Sequence, residues 1–169
     1  MGEDSIITSD LKEILNADKV VFPGVGSFGD VMKELKKRKL DFIIKKAIEM
    51  KKPFLGICVG LQVLFEESEE SPGIKGLRIF KGKVVKFKQG KIPQIGWNKI
   101  SSNTIGDGYV YFVNSYYVAP DDKNIIESTS DYYAKFTAAV KKDNVFATQF
   151  HPEKSGEFGL RILKKWLTC

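Results

Sequence analysis

The chain is poor in the side chains from which metal centres and disulfide scaffolds are built. Its 169 residues include one histidine, His151, and two cysteines, Cys58 and Cys169. A structural zinc site takes four ligands, mostly cysteine and histidine, and a disulfide framework needs several cysteines at regular spacing. We therefore expect no metal, no disulfide scaffold and no redox role. Cys169 stands at the end of the sequence, where order is usually poor, and we interpret it as incidental.

Long apolar runs and signal-like segments are also missing from the sequence. No stretch approaches the ~20 apolar residues that cross a bilayer, and no basic start leads into an apolar core with a small-residue cleavage site. These absences argue against a membrane protein and a secreted one, so we expect a cytoplasmic protein. The composition, with 43% hydrophobic and 12% aromatic residues, is that of a globular chain, and the length predicts a single domain over residues 1–169.

The charge balance is basic, with 27 Lys and Arg against 21 Asp and Glu and a formal net charge of +6. Such a balance raises the question of nucleic-acid binding. The lysines, however, are spread through amphipathic stretches such as 33–39 and alternate with acidic residues, a pattern typical of solvated helix faces. We therefore predict no nucleic-acid partner, while phosphorylated metabolites or an acidic partner stay open.

The first half of the chain predicts a parallel strand–helix–strand unit. Residues 19–22 form a short apolar run that ends in the Pro- and Gly-containing loop 23–26, and 53–57 form a second such run. Between them, residues 30–50 carry apolar side chains at helical spacing, as two helices or one bent helix. Sheets of this kind bind ligands beyond the carboxyl ends of their strands, where both the 23–26 loop and Cys58 stand.

The second half is strand-rich. Residues 60–65 predict a short helix, and 158–167 predict an amphipathic helix that closes the chain. Between them, apolar and polar residues alternate in segments separated by Gly, Asn and Asp turns: 77–87, 91–100, 109–118, 125–130 and 136–150. The predicted fold class is therefore α/β, an open and mostly parallel sheet flanked by helices, with an additional antiparallel strand region.

Cys58 stands at the centre of a G-x-C-x-G segment, residues 56–60, between a predicted strand and a predicted helix. This is the thiol version of a nucleophile elbow, in which flanking glycines allow a strained and closely packed turn. An isolated cysteine after an apolar strand is more often a small buried hydrophobe, but the glycines favour the elbow. We expect the helix N-terminus to favour the thiolate and the backbone N–H of Val59 to be free for an oxyanion.

His151 follows an apolar strand and is succeeded by Pro152 and Glu153. In an extended segment, residues two apart face the same way, so we expect Glu153 to reach and orient the imidazole. With Cys58, these residues would form a nucleophile, a base and an orienting carboxylate, the set that acyl transfer needs. The sequence does not show that Cys58 and His151 meet in space.

These segments resemble a known family, the class I or triad-type glutamine amidotransferases. Residues 56–62 are similar to the family's nucleophile motif, and 150–153 to its second motif. Within that class the resemblance narrows to the glutaminase subunits of imidazole glycerol phosphate synthase, from histidine biosynthesis. It runs from about Lys19 to the C-terminus and is carried further by the segments 23–28, 64–68, 73–77, 96–98, 111–113 and 151–155.

The resemblance implies a reaction and a role for each candidate residue. Cys58 would attack the side-chain carboxamide of L-glutamine and expel ammonia, leaving a thioester that water hydrolyses to glutamate. His151 would act as general base and then as acid, oriented by Glu153. The backbone N–H groups of Val59 and of the Val25–Gly26 peptide would form the oxyanion hole. Gln62, Ser115 and Tyr116 would bind glutamine. No cofactor is implied.

The resemblance also implies a partner, a (β/α)8-barrel cyclase subunit that receives the ammonia and makes imidazole glycerol phosphate and AICAR. The two subunits would form a heterodimer, with Trp97 and Lys154 of this chain at the interface. For most aromatic residues of the segment 109–117, core packing is the simpler interpretation.

Three departures from the family pattern leave other interpretations open. Asn114 and Gln94 stand where the family often has histidine, and the family's first strand–loop–helix unit, about 30 residues, has no counterpart, so we expect an exposed sheet edge. Alternatives are an amidotransferase subunit of another synthase, such as pyridoxal phosphate synthase, or a cysteine hydrolase of similar fold. A third is a truncated, weakly active form that binds a partner.

Overall fold

A computed structural model of the chain describes residues 2–169. The helices are α1 (Leu11–Asn16), α2 (Phe28–Lys37), α3 (Leu40–Glu49), α4 (Val59–Gln62) and α5 (Gly156–Leu167). The strands are β1 (Val20–Gly24), β2 (Phe54–Cys58), β3 (Glu67–Ser68), β4 (Gly82–Lys86), β5 (Gln94–Ser101), β6 (Gly108–Asn114), β7 (Tyr116–Pro120), β8 (Ile126–Asp131), β9 (Lys135–Lys142) and β10 (Val145–Thr148). Short 3₁₀ turns cover Lys123–Ile125 and Pro152–Lys154.

The strands form two sheets. The larger has seven strands in the order β1-β2-β10-β9-β8-β5-β6, and the smaller has three in the order β3-β4-β7. In the larger sheet β1, β2 and β10 run parallel, and the pairings from β10 to β6 are antiparallel. The predicted α/β class with an added antiparallel region is confirmed, and β1 lies at the edge of the mixed sheet.

The crossover from β1 to β2 consists of two helices, which settles the choice left open between two helices and one bent helix. Helix α2 begins after Ser27, whose hydroxyl accepts the backbone N–H of Asp30 as an N-cap. Lys39, between α2 and α3, has a φ of 60°, in the left-handed region that interrupts a helix.

The core consists of two apolar clusters that cover opposite faces of the parallel strands. In β2, Phe54 belongs to one cluster and Leu55 to the other, and in β10 Val145 and Phe146 divide in the same way. This alternation is the period of two that a strand imposes on its side chains. Helices α2 and α3 pack in the first cluster, and α5 packs in the second. Within residues 2–169 no helix has the length and apolar character needed to cross a membrane.

Several strands in the second half are shorter or more divided than the sequence predicts. The segment 109–118 is two strands, β6 and β7, which separate at Ser115 and join different sheets. The segment 136–150 contains the hairpin of β9 and β10, which turns at Asp143 with a φ of 51°. In the segment 77–87 only β4 is a strand, because the backbone N–H groups of Leu77 and Ile79 donate at 2.7 and 2.8 Å to carbonyls near the end of α4.

Candidate active site

Cys58 ends β2 and caps α4 with a φ of 55° and a ψ of −110°, a strained conformation for a residue other than glycine. The neighbouring glycines make this turn possible. A Cβ atom on Gly60 would lie 2.2 Å from the carbonyl oxygen of Phe22, and one on Gly56 would lie 2.7 Å from that of Gly60. The G-x-C-x-G segment can therefore form an elbow because its positions 56 and 60 carry no side chain.

The loop after β1 lies beside the elbow. Gly24 is in register with Cys58, so Val25 and Gly26 extend from β1 next to the thiol. Val25 is 82% exposed, and Gly26 has a φ of 104°. The far end of the loop is held at α2, because Glu70 Oε2 accepts the backbone N–H of Phe28 at 2.7 Å. The predicted oxyanion residues are thus close in the fold to the predicted nucleophile.

His151 and Glu153 form a close pair, with 2.7 Å between Nδ1 and Glu153 Oε1. The imidazole is buried. The contact was expected from an extended segment, and that reason is wrong, because Pro152–Lys154 is a 3₁₀ turn that brings the carboxylate back to the ring. A carboxylate can only accept here, so Nδ1 is the nitrogen that donates, and in a neutral imidazole Nε2 then has the lone pair.

Strand β6 brings Cys58 and His151 together. Its Val113 carbonyl is 3.9 Å from Cys58 Sγ, and its Tyr111 carbonyl accepts the backbone N–H of His151 at 3.0 Å. Ser155 strengthens the second contact, accepting the Tyr111 N–H at 2.9 Å and donating to the His151 carbonyl at 2.6 Å. Residues two apart on a strand are separated by about 6.8 Å. Cys58 and His151 therefore flank one short stretch of β6, although no hydrogen bond joins their side chains in the described chain.

Burial raises the pKa of the Cys58 thiol to about 11. The negative charges of Glu153 and Glu70 contribute to this rise in the pKa, while the backbone N–H of Val59 and the Gln149 side chain act against it. The N–H of Val59 at the helix terminus favours the thiolate, as expected, but desolvation outweighs this effect and the thiol is favoured overall. At neutral pH Cys58 is a thiol, and it needs a base to become a nucleophile.

Comparison with known proteins identifies the family. The family model "Glutamine amidotransferase class-I" matches residues 4–168. The chain belongs to this family. It is 52% identical to the imidazole glycerol phosphate synthase subunit HisH of Pyrococcus furiosus, covering 95% of this chain and 86% of that one. It is 47% identical to the same subunit of Methanocaldococcus jannaschii, covering 96% and 86%.

Solved structures agree with this assignment at the level of the fold. A crystal structure of a glutamine amidotransferase superimposes with a TM-score of 0.80 at 16% identity, covering 99% of this chain and 86% of that one. The glutaminase domain of Trypanosoma brucei CTPS, with bound acivicin, gives a TM-score of 0.61 at 14% identity, covering 94% and 74%. The class I glutamine amidotransferase fold is therefore present from near one end of the chain to the other.

The three residues predicted to hold glutamine occupy different environments in this amidotransferase fold. Gln62 is buried, and its amide donates to the Tyr116 carbonyl at 3.3 Å. Ser115 lies at the break between β6 and β7, where its carbonyl accepts the backbone N–H of Phe87 at 3.1 Å. Tyr116 follows at the start of β7 and is half-buried. The binding role of these residues stays a prediction.

Gln149 and Glu70 were not predicted as site residues. The Gln149 side chain is fully buried, and its Nε2 lies 3.7 Å from Cys58 Sγ. Glu70 stands in a charged loop, and its carboxylate acts on the thiol through its charge. A glutamine in an apolar strand and a glutamate in a solvated loop give no chemical signal in a sequence. Only the fold places them at Cys58.

An apolar face lies beside the site. It consists of the outward side chains of β5 and β6 that are exposed: Ile95, Trp97, Tyr109 and Val113. The Trp97 ring stacks edge-to-face on Tyr111 with 6.1 Å between ring centroids, and Lys154 is exposed on the adjacent 3₁₀ turn. Gln94 and Asn114 are cross-strand neighbours that point inward and are buried, so these two departures from the family pattern lie beneath the face.

Proposed function

We propose that this chain hydrolyses L-glutamine to glutamate and ammonia through Cys58, His151 and Glu153. It would pass the ammonia to a (β/α)8-barrel cyclase subunit that makes imidazole glycerol phosphate and AICAR in histidine biosynthesis. The observation that carries the proposal is that the His151–Glu153 pair and the Cys58 elbow contact the same short stretch of β6. Close similarity to subunits named HisH supports the choice of synthase.

The reaction begins with a proton transfer. His151 Nε2 takes the proton of the Cys58 thiol as Sγ attacks the amide carbon of glutamine, and Glu153 stabilises the imidazolium that results. The oxyanion of the tetrahedral intermediate is bound by the backbone N–H of Val59 and by the Val25–Gly26 peptide, and losing one such donor typically costs ~100-fold or more in rate.

Collapse of the intermediate breaks the C–N bond. The imidazolium of His151 gives its proton to the leaving nitrogen, which departs as ammonia and leaves a thioester on Cys58. A water molecule, deprotonated by His151, then attacks the thioester carbon, and the thiol leaves with glutamate as the second product. The protein returns to its starting protonation state, so no metal and no cofactor is required.

The apolar face supports a heterodimer with the cyclase. Clustered exposed apolar side chains mark interaction surfaces, and tryptophan and tyrosine are enriched at the centres of such surfaces. The face lies against Cys58 through Val113, so a partner seated on it would receive ammonia directly at its point of release. We place this pair in the cytoplasm, where thiols such as Cys58 stay reduced.

The purified chain, mixed with its cyclase subunit and the cyclase substrate, should convert glutamine to glutamate and yield imidazole glycerol phosphate and AICAR. Glutamate is measured by a coupled dehydrogenase assay and the nucleotide product by chromatography. Hydrolysis without cyclase product would favour another synthase. A folded chain that stays inert with partner and ligand would favour the truncated, weakly active alternative.

Trp97→Ala should weaken binding of the cyclase by about 30-fold or more, because a tryptophan at the centre of an interface is typically worth 2 kcal/mol or more. Isothermal titration of the two subunits measures this. Phe42→Ala is the matched control, since Phe42 is an aromatic of similar exposure on α3, which packs mainly on α1 and α2. Equal losses in both variants would argue against an interface at the apolar face.

A further inference from the structure

Three amide side chains beside Cys58 form a continuous hydrogen-bonded group in the protein interior. Gln149, Gln62 and Asn114 are all buried, at 0%, 6% and 5% exposure. Gln149 follows Thr148, which is in register with Ile57, so it stands level with Cys58 on the adjacent strand. Buried amides are costly unless they are paired, and this group lies against the one thiol that the proposed reaction uses.

The backbone carbonyl of Tyr116 sets the orientation of the whole group. It can only accept, and it does so from Asn114 Nδ2 at 2.9 Å and from Gln62 Nε2 at 3.3 Å. The same Gln62 nitrogen donates at 3.1 Å to Gln149 Oε1. With its oxygen held in this way, the Gln149 amide must present its nitrogen to the other side.

That nitrogen faces sulfur. Gln149 Nε2 is 3.7 Å from Cys58 Sγ, within hydrogen-bonding range for a sulfur acceptor. If the Gln149 amide were flipped, its oxygen would face Sγ and its nitrogen would face the nitrogen of Gln62. The fixed carbonyl of Tyr116 therefore determines that an N–H, and not a lone pair, points at the thiol.

We propose that Gln149 is a positioning residue for the nucleophile: its N–H, aimed by Gln62 and the Tyr116 carbonyl, holds Cys58 Sγ and stabilises the thiolate that forms during the reaction. This role rests on the proposed glutaminase chemistry for its purpose, but the contact itself does not depend on a substrate. A hydrogen bond to an anion is stronger than one to a neutral group, so the donor acts more on the thiolate than on the thiol.

The electrostatic surroundings explain why such a donor matters. The charged and titratable groups that face Cys58 are the carboxylates of Glu153 and Glu70, with His151 just before the 3₁₀ turn that follows β10. Both carboxylates disfavour a thiolate, and burial does so more strongly. Against them act the N–H of Val59 and the N–H of Gln149, of which only the second belongs to a side chain that a substitution can remove.

Alkylation of the full chain by iodoacetamide tests the proposal without glutamine or a partner. The rate at Cys58 is followed between pH 7 and 9 by mass spectrometry of its peptide, with the exposed Cys169 as an internal reference. Gln149→Met removes the donor at similar volume, and the Cys58 rate should fall about tenfold at each pH, as a rise of one pKa unit produces. Gln149→Leu also lacks an N–H donor, and its rate should fall to a similar extent.

Gln94→Met is the matched control, because Gln94 is another buried amide, on β5, and should leave the Cys58 rate unchanged. Wild-type rates in Gln149→Met and Gln149→Leu would overturn the proposal, as would an equal loss in Gln94→Met. If Gln149→Met does not fold, Gln149→Leu decides alone. If alkylation is slower in Gln149→Met but the wild-type protein lacks glutaminase activity, the contact between Gln149 and Cys58 is supported and only the proposed function is refuted.

Discussion

Cys58→Ala should abolish glutamine hydrolysis, lowering kcat by at least about 1,000-fold in the presence of the cyclase partner and its ligand. The variant keeps the oxyanion donors and the binding residues but has no atom that can form the thioester, and residual rates in such variants come from binding and the oxyanion hole alone. Glutamate release is the measurement, with glutamine binding followed separately by calorimetry.

Cys169→Ala is the matched control for this substitution. Cys169 is the other cysteine of the chain and is exposed at the end of α5, so its loss should leave kcat unchanged. Cys58→Ala should also fold, because the side chain is small and the strain at a φ of 55° is the same for alanine. Undiminished hydrolysis in a folded Cys58→Ala protein would refute the mechanism, whatever the partner does.

The elbow at Cys58 is the part of the site that the sequence predicts best. Its determinants are local: a strand, two flanking glycines and a short helix, all within residues 54–62. The structure adds the reason, which is that the backbone of β1 approaches Gly60 so closely that a Cβ would lie 2.2 Å from the Phe22 carbonyl. Because these constraints are local and require glycine at positions 56 and 60, the turn can be predicted from the sequence.

The contact between β6 and the segments that carry Cys58 and His151 could not be predicted in the same way. The antiparallel strands β8 and β9 stand between β10 and β5, and β6 lies at the far edge of the sheet. The sheet must therefore curl for Val113 and Tyr111 of β6 to reach Cys58 and His151. Curvature depends on packing and on irregular pairing, such as the register shifts between β8 and β9, and alternation of apolar residues does not report it.

The protonation state of Cys58 escaped prediction for a related reason. A helix N-terminus after a cysteine is visible in the sequence, and its effect has the expected direction. Burial is a sum over residues from distant segments, and here it is the larger effect. The same holds for Gln149, whose amide gains its role only from the position of Gln62 and the Tyr116 carbonyl.

His151→Asn should lower kcat by about 100-fold to 10,000-fold, the range usually lost with a general base. Asparagine can still donate an amide N–H to Glu153, so the 3₁₀ turn should keep its geometry, but no group remains at the position of Nε2. The rate of glutamate formation with the cyclase bound measures the loss. Near wild-type activity would show that another group deprotonates Cys58.

The pH dependence of the residual rate makes the test sharper. Because the pKa of Cys58 is raised to about 11, its thiolate fraction rises about tenfold for each unit between pH 7 and 9. Without a base, His151→Asn should depend on this pre-formed thiolate, and log kcat should rise with a slope near one. In the proposed mechanism the wild type forms its thiolate by proton transfer to His151, so its profile should be flatter. A flat profile for His151→Asn would contradict the raised pKa, and a steep wild-type profile would contradict the role of His151 as base.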